Sequence, residues 1–106
     1  MESRLRSFLG SQFHNAWPEV FGTWDNAIDD YCKRKTAESL LVVLQELDEL
    51  IGSNFDEESL RGLVKKEFSA NFYPPGAGLS YRQWFELIRA ITAEWLKKKQ
   101  QEASKR

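Results

Sequence analysis

The sequence predicts an all-α fold: a single-domain, irregular bundle of about five helices. Apolar residues recur with a period near 3.6 in five separate segments. Period-two alternation is missing and β-branched residues are few, so strands have no support. Residues that start and stop helices stand between the segments. A chain of 106 residues is large enough for one core but not for two.

The first helix is expected over about Ser3 to His14, with a break near Gly10. Leu5, Phe8, Leu9 and Phe13 share one face, and Pro18 marks the end or the loop beyond. The second starts at Thr23, an N-cap residue type, with Trp24, Ala27, Ile28 and Tyr31 as its buried stripe. Lys33, Arg34 and Lys35 suit its C-terminus, where a cation meets the negative end of the helix dipole. The third runs from about Thr36 to Ile51 and stops at Gly52. Leu40, Leu41, Val43, Leu44, Leu47, Leu50 and Ile51 make it the most apolar helix, and the expected central one.

The fourth opens on Asp56, Glu57 and Glu58, acids placed where the dipole favours them, and carries Leu60, Leu63, Val64 and Phe68. Asn71, Phe72 and Tyr73 read as briefly extended before Pro74. A loop with two prolines and two glycines then leads to the best-marked helix. Ser80 can cap it, and Gln83 stands where a capping box wants Glu or Gln. Tyr81, Trp84, Phe85, Ile88, Ile91, Trp95 and Leu96 form its apolar face. Arg82, Glu86, Arg89 and Glu94 take the other side. Trp24, Leu44, Leu47, Trp84, Ile88 and Trp95 are expected in the core.

The formal net charge of −1 hides an asymmetry. Residues 97–106, KKKQQEASKR, hold five basic side chains and one acidic, a net of +4. Residues 1–96 hold ten basic and fifteen acidic side chains, a net of −5. The expected organisation is a helical domain over 1–96 followed by a basic, frayed tail over 97–106. An acidic body disfavours nucleic acid and favours a basic protein partner. The single Cys32 excludes an internal disulfide. The start holds no apolar run of signal-peptide length, and no stretch is long enough to cross a bilayer. The expectation is a soluble, cytoplasmic protein without membrane contact.

No pattern points to catalysis. His14 and Cys32 are the only candidates for a nucleophilic pair, and the bland reading is stronger for both: His14 against Phe13 and Trp17, Cys32 as a small buried hydrophobe. Two such residues do not fill a four-ligand zinc site. The Pro74–Gly78 loop lacks both phosphate-loop patterns and reads as a turn. No catalytic residue, metal ligand or cofactor is therefore expected.

The acids are a better lead. Asp25 and Asp29 stand four apart on the second helix, a spacing that slightly destabilises it, and Asp30 is adjacent. On the third helix Glu46 and Glu49 flank a polar face that includes Val42, read as an exposed apolar centre with a charged rim. Any one of these reads as an ordinary solvated residue; the recurrence on successive helices of a net-negative body is what suggests a binding surface. The candidate partner-binding residues are Asp25, Asp29, Asp30, Val42, Glu46 and Glu49.

With these residues laid out, the chain resembles the small immunity proteins of bacterial contact-dependent growth inhibition and related polymorphic toxin systems. The resemblance runs from about Phe8 to Trp95. It rests on FLGSQFHNAW, WDNAIDDY, LLVVLQELDELIGSNFDEESLRGLV and YPPGAGLSYRQWFELI, in that order. Phe13, His14 and Trp17 match a Phe-His-Gln-Asp-Trp segment, while Asn15 and Ala16 depart from it. Leu44, Leu47, Asp48 and Leu50 match, as do Gly78, Ser80, Tyr81, Arg82 and Trp84.

The resemblance implies a non-catalytic protein that binds the toxic C-terminal domain of a cognate toxin in the cytoplasm and blocks it by stoichiometric occlusion. Such toxins are often nucleases. A nuclease domain tends to be basic because it must hold phosphates, so an acidic inhibitor is steered to it. A monomer is favoured. The rival reading is a helical adaptor or regulatory module, homo-oligomeric through an aromatic patch.

Overall fold

The structure, a computed structural model, describes residues 4–104. The element order is α1 (Arg4–Gln12), α2 (Trp17–Phe21), α3 (Trp24–Arg34), α4 (Ala37–Ile51), α5 (Glu57–Gly62), a π-helical turn (Leu63–Glu67), a 3-10 turn (Pro74–Ala77) and α6 (Tyr81–Ser104). No strand occurs among the described residues, and the all-α reading holds. No helix among them is long and apolar enough to cross a membrane. Ser3, Lys105 and Arg106, which belonged to the expected first helix and tail, lie outside the described residues.

The local start and stop signals work as their chemistry requires. The Thr23 hydroxyl accepts from the Asn26 amide at 3.4 Å, and the Thr36 hydroxyl from the Ser39 amide at 3.2 Å. The Asp56 carboxylate accepts from the Ser59 amide at 2.8 Å. Ser80 and Gln83 form the reciprocal capping box: the Gln83 amide donates to Ser80 Oγ at 3.0 Å and the Ser80 amide to Gln83 Oε1 at 2.9 Å. Gly52 ends α4, its amide donating to the Asp48 carbonyl. Gly78 takes φ +78, the left-handed conformation that closes the proline turn.

Pro18 does not end a helix. It lies in the first turn of α2, where its missing N–H is no loss. Gly10 does not break α1 either. A Cβ at this position would meet the Phe68 carbonyl at 2.8 Å, so glycine permits the backbone after the π turn to lie against α1. Gly10→Ala is expected to destabilise by about 1–2 kcal/mol despite alanine's better helix propensity. Urea unfolding checks it, and an equal or higher midpoint would show that the two segments can separate freely.

The central helix is α6 rather than α4. It packs on α3, α4 and α5, whereas α4 packs chiefly on α6 and α1. Length goes with this place: at 24 residues α6 is the longest helix, and it meets α3, α4 and α5 along its course. Leu47, Trp84 and Ile88 are fully buried as expected. Trp24, Leu44 and Trp95 are only partly buried against the core. For Trp95 the reason is its indole N–H, which needs a polar partner and finds Asp29 at the surface. Trp84 is the hub of an aromatic cluster, with ring centroids 5.0 Å from Phe72, 5.4 Å from Phe13, 5.5 Å from Phe85 and 6.5 Å from Trp24.

The π turn arises where the Phe68 amide reaches back five residues to the Leu63 carbonyl at 2.8 Å. Ser69 comes next with φ +53. The chain then delivers Asn71 to the end of α1: its amide donates to the Phe13 carbonyl at 2.7 Å, and its carbonyl accepts from Trp17 Nε1 at 2.6 Å.

Candidate functional site

The stripe Ala27, Ile28, Tyr31 and Cys32 turns one side of α3 into the core. That leaves Asp25 exposed and Asp29 and Asp30 half-buried at the margins. Asp29 Oδ1 accepts from Trp95 Nε1 at 2.9 Å, tying α3 to α6. Asp30 Oδ2 accepts from Gln12 Nε2 at 3.1 Å and from Arg34 Nε and Nη2 at 3.1 and 2.9 Å. Desolvation pushes the Asp30 carboxyl up, but the bonds from Gln12 and Arg34 outweigh it and hold the group below its ordinary value. Gln12, buried, also donates to the Ala27 carbonyl at 2.7 Å and accepts from Arg34 at 3.0 Å, so its amide is fully engaged.

On α4, Leu40, Val43, Leu47 and Leu50 face inward. Glu49 is exposed. Val42 is half-buried, and the exposed apolar residue beside it is Leu41, because the core stripe is phased on Val43 and draws Val42 partly under. Glu46 differs from the expected solvated residue. Its Oε1 accepts from the Arg4 amide at 3.1 Å and its Oε2 from the Leu5 amide at 2.9 Å. It caps α1 from another helix, satisfying orphan donors and placing a negative charge at the positive end of the dipole.

The six residues do not converge on one spot. Asp30 bonds Gln12 at one end of α1 and Glu46 bonds Arg4 and Leu5 at the other, about 12 Å apart at the helical rise. The helices α3 and α4 are joined mainly through α1 and α6. Asp25 and Glu49 are the most solvent-exposed members.

A second cluster, with no local signature in the sequence, lies where α4, α5 and α6 meet. Glu57 Oε1 accepts from the Tyr81 amide at 2.6 Å and Oε2 from the Arg82 amide at 3.2 Å, capping α6 from α5. Arg82, expected as one more polar-face residue, reaches the end of α4 instead. Its guanidinium donates to the Ile51 carbonyl, to the Ser53 carbonyl at 3.3 Å and to the Phe55 carbonyl at 2.6 Å. A cation thus meets the negative end of the α4 dipole. The one signal available in the sequence is an Arg two residues past an N-cap, where the dipole disfavours it, so that a partner elsewhere must compensate. Beside this junction lies an open depression of about 300 Å³ lined by Glu57, Glu58, Arg61, Tyr73, Pro75 and Tyr81. Tyr73 is 56% exposed, and Phe55, in the connection from α4 to α5, is 47% exposed.

His14 is exposed and its Nδ1 accepts from the Ala16 amide at 3.1 Å. Its ring neighbour is Phe21, at 6.4 Å between centroids, while Phe13 and Trp17 face each other instead. Cys32 is fully buried and its Sγ lies 3.8 Å from Thr92 Oγ1. Burial pushes the thiol from 9.0 up to about 11. The thiol form is therefore held in the fold, and stability falls as pH climbs from the unfolded thiol's value toward 11. Cys32 is expected to resist alkylation at pH 8 in the native protein and to react once urea unfolds it. Native labelling at the rate of a free thiol would contradict this burial.

Comparison with known proteins gives a consistent result. One family model, described as CdiI immunity protein, matches residues 3–92. Among curated proteins there is no match. Among solved structures, a chain of the CdiA-CT/CdiI complex from Y. kristensenii 33638 matches with a TM-score of 0.79 at 22% identity, over 84% of this chain and 95% of that one. This structural likeness is one of fold. The family match spans most of the molecule, from α1 through most of the apolar face of α6. The chain belongs to the CdiI immunity protein family.

Proposed function

We propose that this protein neutralises a toxin by binding the toxin's C-terminal domain one to one in the cytoplasm, with no catalysis of its own. The observation that carries the reading is the family match over residues 3–92. The similar structure comes from a complex between a CdiA-CT and a CdiI, which supports a toxin domain as the partner here. The net charge of −5 over residues 1–96 supports a basic partner, such as a nuclease domain whose phosphate-binding surface the inhibitor would cover. Asp25, Asp29, Asp30, Val42, Glu46 and Glu49 are the proposed contact residues. Asp29, Asp30 and Glu46 also hold the fold together, so Asp25 and Glu49 are the cleaner probes.

Two experiments test this. Co-expression with the C-terminal domain encoded by the upstream neighbouring gene is expected to give a stable one-to-one complex and to restore growth of toxin-expressing cells. No complex and no rescue would defeat the proposal. The double variant Asp25→Lys, Glu49→Lys is expected to retain helical content and weaken the complex at least tenfold, mostly through slower association that is sensitive to salt. Unchanged binding would place the interface elsewhere.

A further inference from the structure

Helix α2 holds three large apolar residues in five, Trp17, Val20 and Phe21, and buries none of them. Their spacing puts all three on one face. Among the described elements α2 packs chiefly on α3, and the Asn26 side chain ties the two by donating to the Phe21 carbonyl at 3.1 Å. Trp17 and Phe21 rest partly on the core, while Val20 at the margin of their face is 61% exposed. Trp24, at the start of α3, is half-buried. Trp17 and Trp24 both pack on the half-buried Phe72 ring, at 5.5 and 6.3 Å between centroids, so the two indoles belong to one patch. A five-residue helix gains little from propensity, and its apolar face here is left incompletely covered.

The charge around this patch is one-sided. From Ser7 to Cys32 there is no lysine or arginine, and there are four acids, Glu19, Asp25, Asp29 and Asp30. This segment therefore carries most of the −5 net charge of residues 1–96. Asp29 bonds an uncharged indole N–H, and Asp30 pairs with Arg34 at 2.9 Å. Glu19 and Asp25 are exposed and make no ion pair among the described residues.

We propose that Trp17, Val20, Phe21 and Trp24 form the apolar centre of the contact with the toxin domain, and that Glu19 and Asp25 on its rim pair with lysine or arginine side chains of that domain. The inference rests on the toxin-binding reading, and it adds the apolar anchors that the acidic residues alone do not supply. The composition is that of an interface centre: aromatic rings present, lysine absent, charge kept to the edge. Other exposed aromatic residues lack this setting. The Phe55 carbonyl holds the Arg82 guanidinium, and Tyr73 shares its depression with Arg61. A second copy of this chain is disfavoured, because a symmetric contact would set the same acids against each other. Nucleic acid is disfavoured by the same charge. A basic protein surface satisfies both the apolar face and its rim.

The test uses the full chain, the inactivated toxin C-terminal domain and three variants. Val20→Arg puts a long cationic side chain at the centre of the patch. Since Val20 is 61% exposed, the free variant is expected to keep its helical content and melting temperature. Its affinity for the toxin domain is expected to fall about thirtyfold or more. Glu19→Lys is expected to bind about tenfold more weakly at low salt, mainly through slower association. Leu87→Arg, at a 41% exposed residue of α6 outside the patch, is the control and is expected to bind as the wild type does. Amide hydrogen exchange of the wild-type chain is expected to slow across residues 17–25 when the toxin domain is added, a readout that needs no variant to fold. Should the wild-type chain bind while exchange there is unchanged and Val20→Arg binds equally well, this patch is not the interface and the immunity function stands. Equal weakening by Val20→Arg and Leu87→Arg would show a general effect of added positive charge and overturn the inference too. So would sedimentation showing a wild-type dimer that Val20→Arg dissociates, since a second copy would then cover the face. Absence of any wild-type complex defeats the functional reading, and the inference falls with it.

Discussion

Trp84→Ala is expected to lower stability by about 3–5 kcal/mol, enough to leave the domain largely unfolded at physiological temperature. Trp84 is fully buried, and rings from the turn after α1 (Phe13), from α3 (Trp24), from α6 (Phe85) and from the loop before the proline turn (Phe72) all pack on it. Truncation removes the largest buried side chain and opens a cavity that no single element can close, because its walls belong to four different segments. Its indole nitrogen has no hydrogen-bond partner, so no polar compensation is lost with it. Trp84→Phe keeps most of the ring contacts and removes the unpaired N–H, so a much smaller loss is expected. Urea unfolding followed by circular dichroism separates the two variants. Equal losses would mean that the ring cluster is not the mechanical centre of the fold.

Arg82→Ala is the next largest expected effect, about 3 kcal/mol, at the upper end for hydrogen bonds to a charged group. The guanidinium reaches three carbonyls at the end of α4 and in the connection to α5, and the residue is half-buried. Removal leaves those acceptors short of a partner and takes a cation from the end of a 15-residue helix. Arg82→Lys is expected to recover only part of the loss, since one ammonium cannot address three diverging carbonyls. The diagnostic measurement is amide hydrogen exchange, with protection expected to fall first in the last turn of α4 and the first turn of α5. Uniform loss over the whole molecule would argue that Arg82 acts on global stability without organising this junction.

The contrast between the features legible in the sequence and those hidden from it comes from distance along the chain. The Ser80–Gln83 capping box, the Thr23 cap and the Gly52 stop involve residues three or four apart, so their residue types announce them. Glu46 on Leu5, Glu57 on Tyr81 and Arg82 on Phe55 act across separations of 41, 24 and 27 residues. In sequence Glu46 and Arg82 look like charges on a solvated face, and Glu57 like a first-turn acid of its own helix. The same blindness affects the candidate site. An excess of acid over residues 1–96 is readable by counting, but the use of Asp29, Asp30 and Glu46 inside the fold is not.

The π turn at Leu63–Glu67 has a consequence for chain length. Surface connections ordinarily tolerate gained or lost residues. Here a deletion that converts the π turn to α geometry would rotate the segment after it by about 100° relative to α5, one residue's share of a helical turn. Asn71 would then miss the Phe13 carbonyl and Trp17, and the Phe68 carbonyl would leave its place against Gly10. Relatives that share this docking should therefore keep the number of residues between Leu60 and Asn71 constant while their identities drift. Gaps in an alignment should gather instead in the connection from Gly52 to Phe55, although there too Arg82 limits the choice.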